Sequence, residues 1–223
     1  MWRIFWQGYE LKTLAIASSK GGVGKTTLTI HMAVAAFDAG KSVVVVDTDP
    51  QGSAFAWWKI RGAEQPYMVQ CRPGEVAEIK NRAKADGLDL IIIDSAPAHS
   101  DDVATVSELS DLILIPSRPS FLDLDAIGTT VKAVTGTKKP AAILFNACPP
   151  GRGIGEASVT YEARQALEGA PIKACEIAIT QRAAFSHAFN GGQAVSEYEP
   201  NGKGAREINN LWKWVEGRLF NGS

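Results

Sequence analysis

The sequence predicts a single-domain α/β fold, a mostly parallel twisted sheet with helices on both faces. Short apolar runs alternate with helix-patterned segments from Thr13 to the C-terminus, the order expected of strand–crossover–strand units. Two of those runs, Ser42–Asp47 and Leu88–Asp94, are nearly all aliphatic rather than alternating, as strands buried on both faces must be. The length, 223 residues, suits one domain with a sizeable core, and the chain shows no internal repeat, low-complexity tract or linker.

The elements follow in order. Leu14–Ser18 reads as a compact strand, and Thr26–Ala39 as a helix closed by Gly40. Ser42–Asp47 is a valine-rich strand, Ser53–Arg61 a short helix, Tyr67–Cys71 a weak strand and Glu75–Asp86 a polar-faced helix. Leu88–Asp94 is a buried strand that ends in a carboxylate. Asp101–Ser110 is expected as helix, Leu112–Pro116 as strand, Leu122–Val134 as helix and Ala141–Asn146 as strand. Glu156–Leu167 (helix), Lys173–Ile179 (strand), Arg182–Phe189 (helix) and Ala205–Leu219 (helix) complete the chain. Residues 1–11 read as a mobile extension and residues 12–223 as the domain.

Composition narrows the function classes. The chain is 45% hydrophobic and 21% charged, ordinary for a globular protein. A formal net charge of -1 supplies no bulk polycation, so any nucleic-acid contact needs a local basic patch. Cys71, Cys148 and Cys175 are too scattered for a zinc or redox motif and read as free thiols in a reducing cytosol. No stretch has the length of a membrane span, and the N-terminus lacks a signal-peptide pattern. The expected location is therefore cytoplasmic.

The strongest motif is Ser19-Lys20-Gly21-Gly22-Val23-Gly24-Lys25-Thr26-Thr27, set between the first strand and the first helix. Glycines there let backbone N–H groups turn inward around phosphate oxygens, and the helix N-terminus adds its positive end. Lys25 is expected at the β- and γ-phosphates and the Thr26 hydroxyl on Mg²⁺. Gly21, Gly22, Val23, Gly24 and Thr27 complete the cradle, which makes this a P-loop fold. Ser19 stands where the ordinary pattern has glycine, and a second lysine, Lys20, lies inside the loop. Ile91-Ile92-Ile93-Asp94 is apolar until its last residue, as in a Walker B strand, with Asp94 on an Mg²⁺-bound water. A carboxylate at the C-terminal end of a parallel strand faces the crevice where open α/β sheets bind ligands.

The loop Lys20-Gly21-Gly22-Val23-Gly24-Lys25-Thr26-Thr27 resembles the deviant Walker A box of the ParA/MinD ATPases. Asp47-Thr48-Asp49-Pro50-Gln51-Gly52, Asp94-Ser95-Ala96-Pro97, Ile115–Ser120 with Leu122-Asp123-Leu124, and Thr180–Phe185 are similar to that family too, so the likeness runs from about Lys12 to the C-terminus. The resemblance implies a homodimer formed with ATP, in which Lys20 reaches the nucleotide of the other subunit. It implies that Asp49 orients the attacking water and that Asp47 supports Mg²⁺ through water. No arginine finger is evident, and Lys20 in trans fills that role. Asn146 resembles the family's adenine-contacting asparagine, and Pro200 and Asn201 its second adenine-side segment. A guanine-reading [NT]-K-x-D box is absent, which favours ATP over GTP.

The resemblance further implies a slow ATPase stimulated by a ParB-like or other small adaptor. Its main implied function is segregation of plasmid or chromosomal DNA through non-specific, nucleoid-associated DNA binding. The candidate DNA contacts are Arg182, Lys203, Arg206, Lys213 and Arg218, with acidic Glu199, Glu207 and Glu216 interspersed. No helix-turn-helix precedes the loop, as in the short ParA subgroup. Alternatives are positioning of a non-DNA cargo such as a carboxysome, and MinD-like membrane positioning. The latter would need the last helix's stripe of Ile208, Leu211, Trp212, Val215 and Leu219 to be an anchor, although such a stripe more often faces a core. A metabolic P-loop synthetase does not require Lys20, and an iron protein would need a cysteine after Asp94. Trp57-Trp58 and the N-terminal tryptophans read as packed or half-exposed rather than as a partner surface. His31, His99 and His187 are assigned no chemistry.

Overall fold

A computed structural model describes residues 10–97, 100–151 and 155–221. Most of the expected extension, and His99, lie outside these residues. Leu11, the last residue of that extension, is buried in the core.

Seven strands form one sheet in the order β3-β2-β4-β1-β5-β6-β7. They are β1 (Lys12–Ile16), β2 (Val43–Asp47), β3 (Tyr67–Gln70), β4 (Leu90–Asp94), β5 (Leu112–Ser117), β6 (Ala141–Cys148) and β7 (Ala174–Thr180). All six neighbouring pairs are parallel. The helices are α1 (Lys25–Asp38), α2 (Ser53–Arg61), α3 (Val76–Ala85), α4 (Ser100–Glu108), α5 (Phe121–Ala126), α6 (Gly128–Thr137), α7 (Ser158–Ala166), α8 (Ala183–Asn190), α9 (Val195–Tyr198) and α10 (Lys203–Phe220).

Side chains alternate across a strand, and the aliphatic runs divide accordingly. Leu14, Ile16, Val43, Val45, Leu90 and Ile92 pack on one face with Leu28 and Met32 of α1 and Ile208, Leu211, Trp212, Val215 and Leu219 of α10. Ala15, Val44, Val46, Ile91 and Ile93 pack on the other with residues of α3, α4 and α6. The α10 stripe is thus committed to the core and offers no membrane anchor. Among the described residues, no helix is long and apolar enough to cross a membrane. Trp57 is fully buried and Trp58 partly so, in a small cluster with Ile30 and Val34.

Most expected elements are present with ends shifted by a residue or two. Gly40 follows α1 in the left-handed region, φ 87°. Its N–H donates to the Phe37 carbonyl and that of Lys41 to the Ala36 carbonyl, a Schellman closure. The helix expected over Leu122–Val134 is two helices, interrupted at Ile127. Gly128 weakens helix continuity there, and Ile127 is buried in the core. Sequence reading did not find the four-residue α9, which is too short for a periodic signal.

Candidate functional site

The β1–α1 loop, the C-terminal ends of β2 and β4, and the segment after β5 meet at the C-terminal end of the sheet's inner strands. Gly22 and Gly24 have φ values of 72° and 87°, a region that glycine enters without penalty. With them the chain reverses before α1, whose N-terminal N–H groups open toward the loop.

The Thr26 hydroxyl donates to Asp94 Oδ2 at 2.7 Å, and the buried Thr29 hydroxyl lies 3.3 Å from Asp94 Oδ1. Asp47 and Asp94 occupy paired positions at the ends of adjacent strands. Burial pushes the Asp94 carboxyl up to about 7; the Thr26 bond opposes the shift and the Asp47 charge adds to it. Asp47 is raised by burial as well, against the pull of backbone N–H donors. Its Oδ1 accepts from the Asp49 N–H at 3.0 Å and its Oδ2 from the Phe55 N–H at 3.1 Å. Asp47 therefore holds the loop between β2 and α2 in shape. Asp49 lies on that loop, half-buried, its Oδ1 accepting from the Gln51 N–H at 2.9 Å.

An all-oxygen set of one hydroxyl and neighbouring carboxylates beside a phosphate loop fits Mg²⁺, which takes few protein ligands and completes its shell with phosphates and water. Thr26 would hold the ion directly, with Asp94 and Asp47 behind it; bound there, Mg²⁺ neutralises charge on the phosphates. Both lysines are held by groups of the same chain. Lys25 Nζ donates to the Lys20 carbonyl at 3.0 Å; burial lowers its pKa, while Asp94 and Asp49 raise it. Lys20 Nζ forms an ion pair with Asp123 Oδ1 at 2.6 Å.

On the far side of the loop, Gly22, Val23, Gly24 and Thr27 line a cleft of about 260 Å³ with Arg118, Asn146, Gln181, Arg182 and Phe185. Asn146 Nδ2 donates to the Val23 carbonyl at 2.7 Å, so it braces the phosphate loop from the end of β6. The next residue, Ala147, has φ 52°, a left-handed conformation uncommon without glycine.

The remaining expected site residues lie on or near α10. Pro200 and Asn201 are exposed in the turn before α10, which the Gly202 N–H closes on the Glu199 carbonyl, and neither lines the cleft. Arg182 lines the cleft and pairs with Glu207 at 2.6 Å. Arg218 stacks on Trp214, 3.6 Å from the ring centroid. Lys203, Arg206 and Lys213 are exposed along α10. Arg118 and Asp123 lie in the family-like stretches Ile115–Ser120 and Leu122-Asp123-Leu124, which carried no expected contact to the phosphate loop, and Thr130 lies in no motif.

The other flagged side chains do not join the site. Cys71, Cys148 and Cys175 are free thiols, each raised by burial to about 11. His31 is buried in α1, where its Nδ1 accepts from the Val195 N–H at 3.0 Å. His187 is exposed and meets Tyr198 edge-on.

The CobQ/CobB/MinD/ParA nucleotide-binding domain matches residues 14–195. The chain belongs to this family. Among ParA/MinD relatives, it is 33% identical over 198 residues to maintenance of carboxysome distribution protein A of Gloeobacter kilaueensis, covering 88% of both chains. Its identity with the protein of the same description from Halothiobacillus neapolitanus is 30% over 212 residues, covering 89% of this chain and 94% of that one. In fold it resembles the Cyanothece McdA(D38A)–ATP complex, with a TM-score of 0.75 at 18% identity, over 94% of this chain and 96% of the other.

Proposed function

We propose that this ParA/MinD-family protein is a positioning ATPase that pairs around ATP and Mg²⁺ and distributes a large protein assembly of the carboxysome kind. The observation that carries the enzymatic part is the 2.7 Å bond between Thr26 and Asp94 at the phosphate loop. This pairing of a hydroxyl with a strand-end carboxylate beside the phosphate loop supports an Mg²⁺ site that would neutralise triphosphate charge. Lys25 supplies a cation in cis, Lys20 supplies one to the other subunit, and Asp49 orients the water. Hydrolysis is slow and stimulated by a small adaptor protein.

Two relatives with matching spans of about nine-tenths of this chain are described by carboxysome distribution. Chromosome partitioning enters through the Thermus thermophilus ATPase Soj at 23% identity and through ParA of Caulobacter vibrioides at 35% over 147 residues, 65% of this chain and half of that one. The cargo reading therefore stands ahead of DNA segregation, the main expectation from the sequence. DNA serves as the track: Lys203, Arg206, Lys213 and Arg218, all exposed on α10, bind phosphates without sequence preference, and Arg182, paired with Glu207, is the weakest member of that set.

Light scattering with ATP, ADP and no nucleotide tests the switch: a dimer is expected with ATP and a monomer otherwise. The cargo is tested by deleting the gene in its host and imaging protein microcompartments alongside plasmid retention. Clustered compartments with normal retention are expected. Evenly spaced compartments with plasmid loss would return the assignment to DNA segregation.

A further inference from the structure

The phosphate loop is tied to the segment after β5 at three places. The Ser19 N–H donates to Thr130 Oγ1 at 2.9 Å, Lys20 pairs with Asp123, and Arg118 Nη2 donates to the Gly22 carbonyl at 2.9 Å. The Arg118 contact is the weakest match of partners. A guanidinium has five N–H donors in a planar fork suited to two oxygens of a carboxylate or phosphate; here its hydrogen bond goes to a neutral carbonyl, and the Asp123 carboxylate whose field it feels is already paired with Lys20. Among the described residues Arg118 forms no ion pair. The other arginine on the same cleft, Arg182, is neutralised by Glu207. Arg118 is exposed and lines the cleft beside Gly22, Gly24 and Thr27.

We propose that Arg118 is a nucleotide ligand supplied in cis, whose guanidinium takes oxygens of the diphosphate portion from the side of the loop opposite Lys25. The assignment rests on the nucleotide-binding reading of the site. It goes to the diphosphate rather than the terminal phosphate because of which residues share the cleft. Gly24 and Thr27, at the start of α1, line it with Arg118; Lys20, Lys25 and Thr26 do not. Charge-assisted, two-pronged contacts of this type are stronger than neutral ones. Arg118 therefore strengthens ADP and ATP binding alike, and holds the product after hydrolysis.

The test titrates fluorescently labelled ADP and ATP, each with Mg²⁺, into the full chain, Arg118→Gln and Arg118→Lys. Arg118→Gln should weaken both nucleotides by a similar factor, on the order of tenfold, as loss of a charged hydrogen bond does. Arg118→Lys keeps the charge without the fork and should fall between. Because the side chain is exposed, melting without nucleotide should match the parent protein in both variants. Affinities within twofold of the parent would make Arg118 a brace for Gly22 alone. Weakening confined to ATP would move it to the terminal phosphate, and either result overturns the assignment. A parent protein that binds neither nucleotide defeats the reading of the site itself, a separate outcome.

Discussion

Lys20 and Asp123 form a 2.6 Å ion pair within one chain, linking the phosphate loop to the first turn of α5. Ser120 caps that turn, its Oγ accepting from the Asp123 N–H at 3.2 Å and bonding the Asp123 side chain. Asp123 is held below the usual carboxylate range: burial raises it, but the Lys20 and Ser120 bonds outweigh that. The lysine proposed to serve the second subunit therefore has a competing partner at home, and pairing has to break this contact.

Asp123→Asn should release Lys20 and strengthen ATP-dependent dimerisation. Lys20 is partly exposed, and pairs of that kind contribute under about 1 kcal/mol, so the expected gain is roughly two- to fivefold per subunit, compounding over the two subunits in the dimer dissociation constant. Sedimentation at fixed ATP measures it. A weaker dimer would mean that Asp123 supports pairing rather than opposing it.

Asp94→Asn keeps the shape around Thr26 but removes the charge behind the metal. Loss of a group that orients a metal's shell typically costs 10- to 100-fold in metal affinity or activity, and a loss of about that size is expected in Mg²⁺-dependent ATP hydrolysis. Thr26→Ser, which retains the hydroxyl, should keep most activity, whereas Thr26→Ala should not. Hydrolysis rates across a Mg²⁺ titration separate the three. Equal activity in Thr26→Ala would remove Thr26 from the metal site.

Gly24→Ala meets two obstacles. The φ of 87° is strained for any residue with a Cβ, at about 1–3 kcal/mol, and the new methyl collides with Asn146 Nδ2. Denaturant unfolding of Gly24→Ala, Asn146→Ala and the double variant should show coupling, because removing Asn146 relieves the collision but not the backbone strain. Simple additivity would mean that the two residues do not press on each other.

The His31 imidazole is buried, and burial lowers its pKa to about 3. In the unfolded chain it titrates near 6.5. Between those values the unfolded state binds a proton that the folded state does not, so stability falls as pH falls, by up to about 1.4 kcal/mol per pH unit. His31→Gln should flatten the acid side of the stability profile by about one proton. Urea unfolding from pH 4 to 7 tests this, and identical slopes in both proteins would refute it.

The exposed pair Phe121 and Leu122 lies beside Asp123 on α5, with relative exposures of 82% and 75%. Their place next to Lys20's partner leads to the prediction that the proposed dimer covers them. Phe121→Ser with Leu122→Ser should therefore weaken the ATP-dependent dimer by tenfold or more, in line with about 25 cal/mol per Å² of apolar surface, while nucleotide binding persists. Light scattering and nucleotide titration on the same samples decide it; an unchanged dimer places the pair outside the interface.

Much of the site was legible in the sequence because its chemistry is local. Gly22, Gly24, Lys25 and Thr26 are consecutive or nearly so, and a strand before them with a helix after them suffices to build a phosphate cradle. Asp47 and Asp94 were legible too, since the end of a buried parallel strand is a defined place in this class of fold. Asp47 nonetheless spends both oxygens on the Asp49 and Phe55 N–H groups, a detail that depends on how the following loop returns.

The sequence by itself determined the layered α/β plan, the phosphate loop and the two strand-end carboxylates, because backbone conformation and side-chain alternation are properties of short stretches of chain. Tertiary structure alone decided that β5 lies beside β1, which brings Asp123 to Lys20, Thr130 to Ser19 and Arg118 to Gly22. It also placed Asn146 on Val23, tied Arg182 to Glu207, and left Pro200 and Asn201 outside the cleft. Those outcomes depend on which distant strands become neighbours and on which charges find partners when they do.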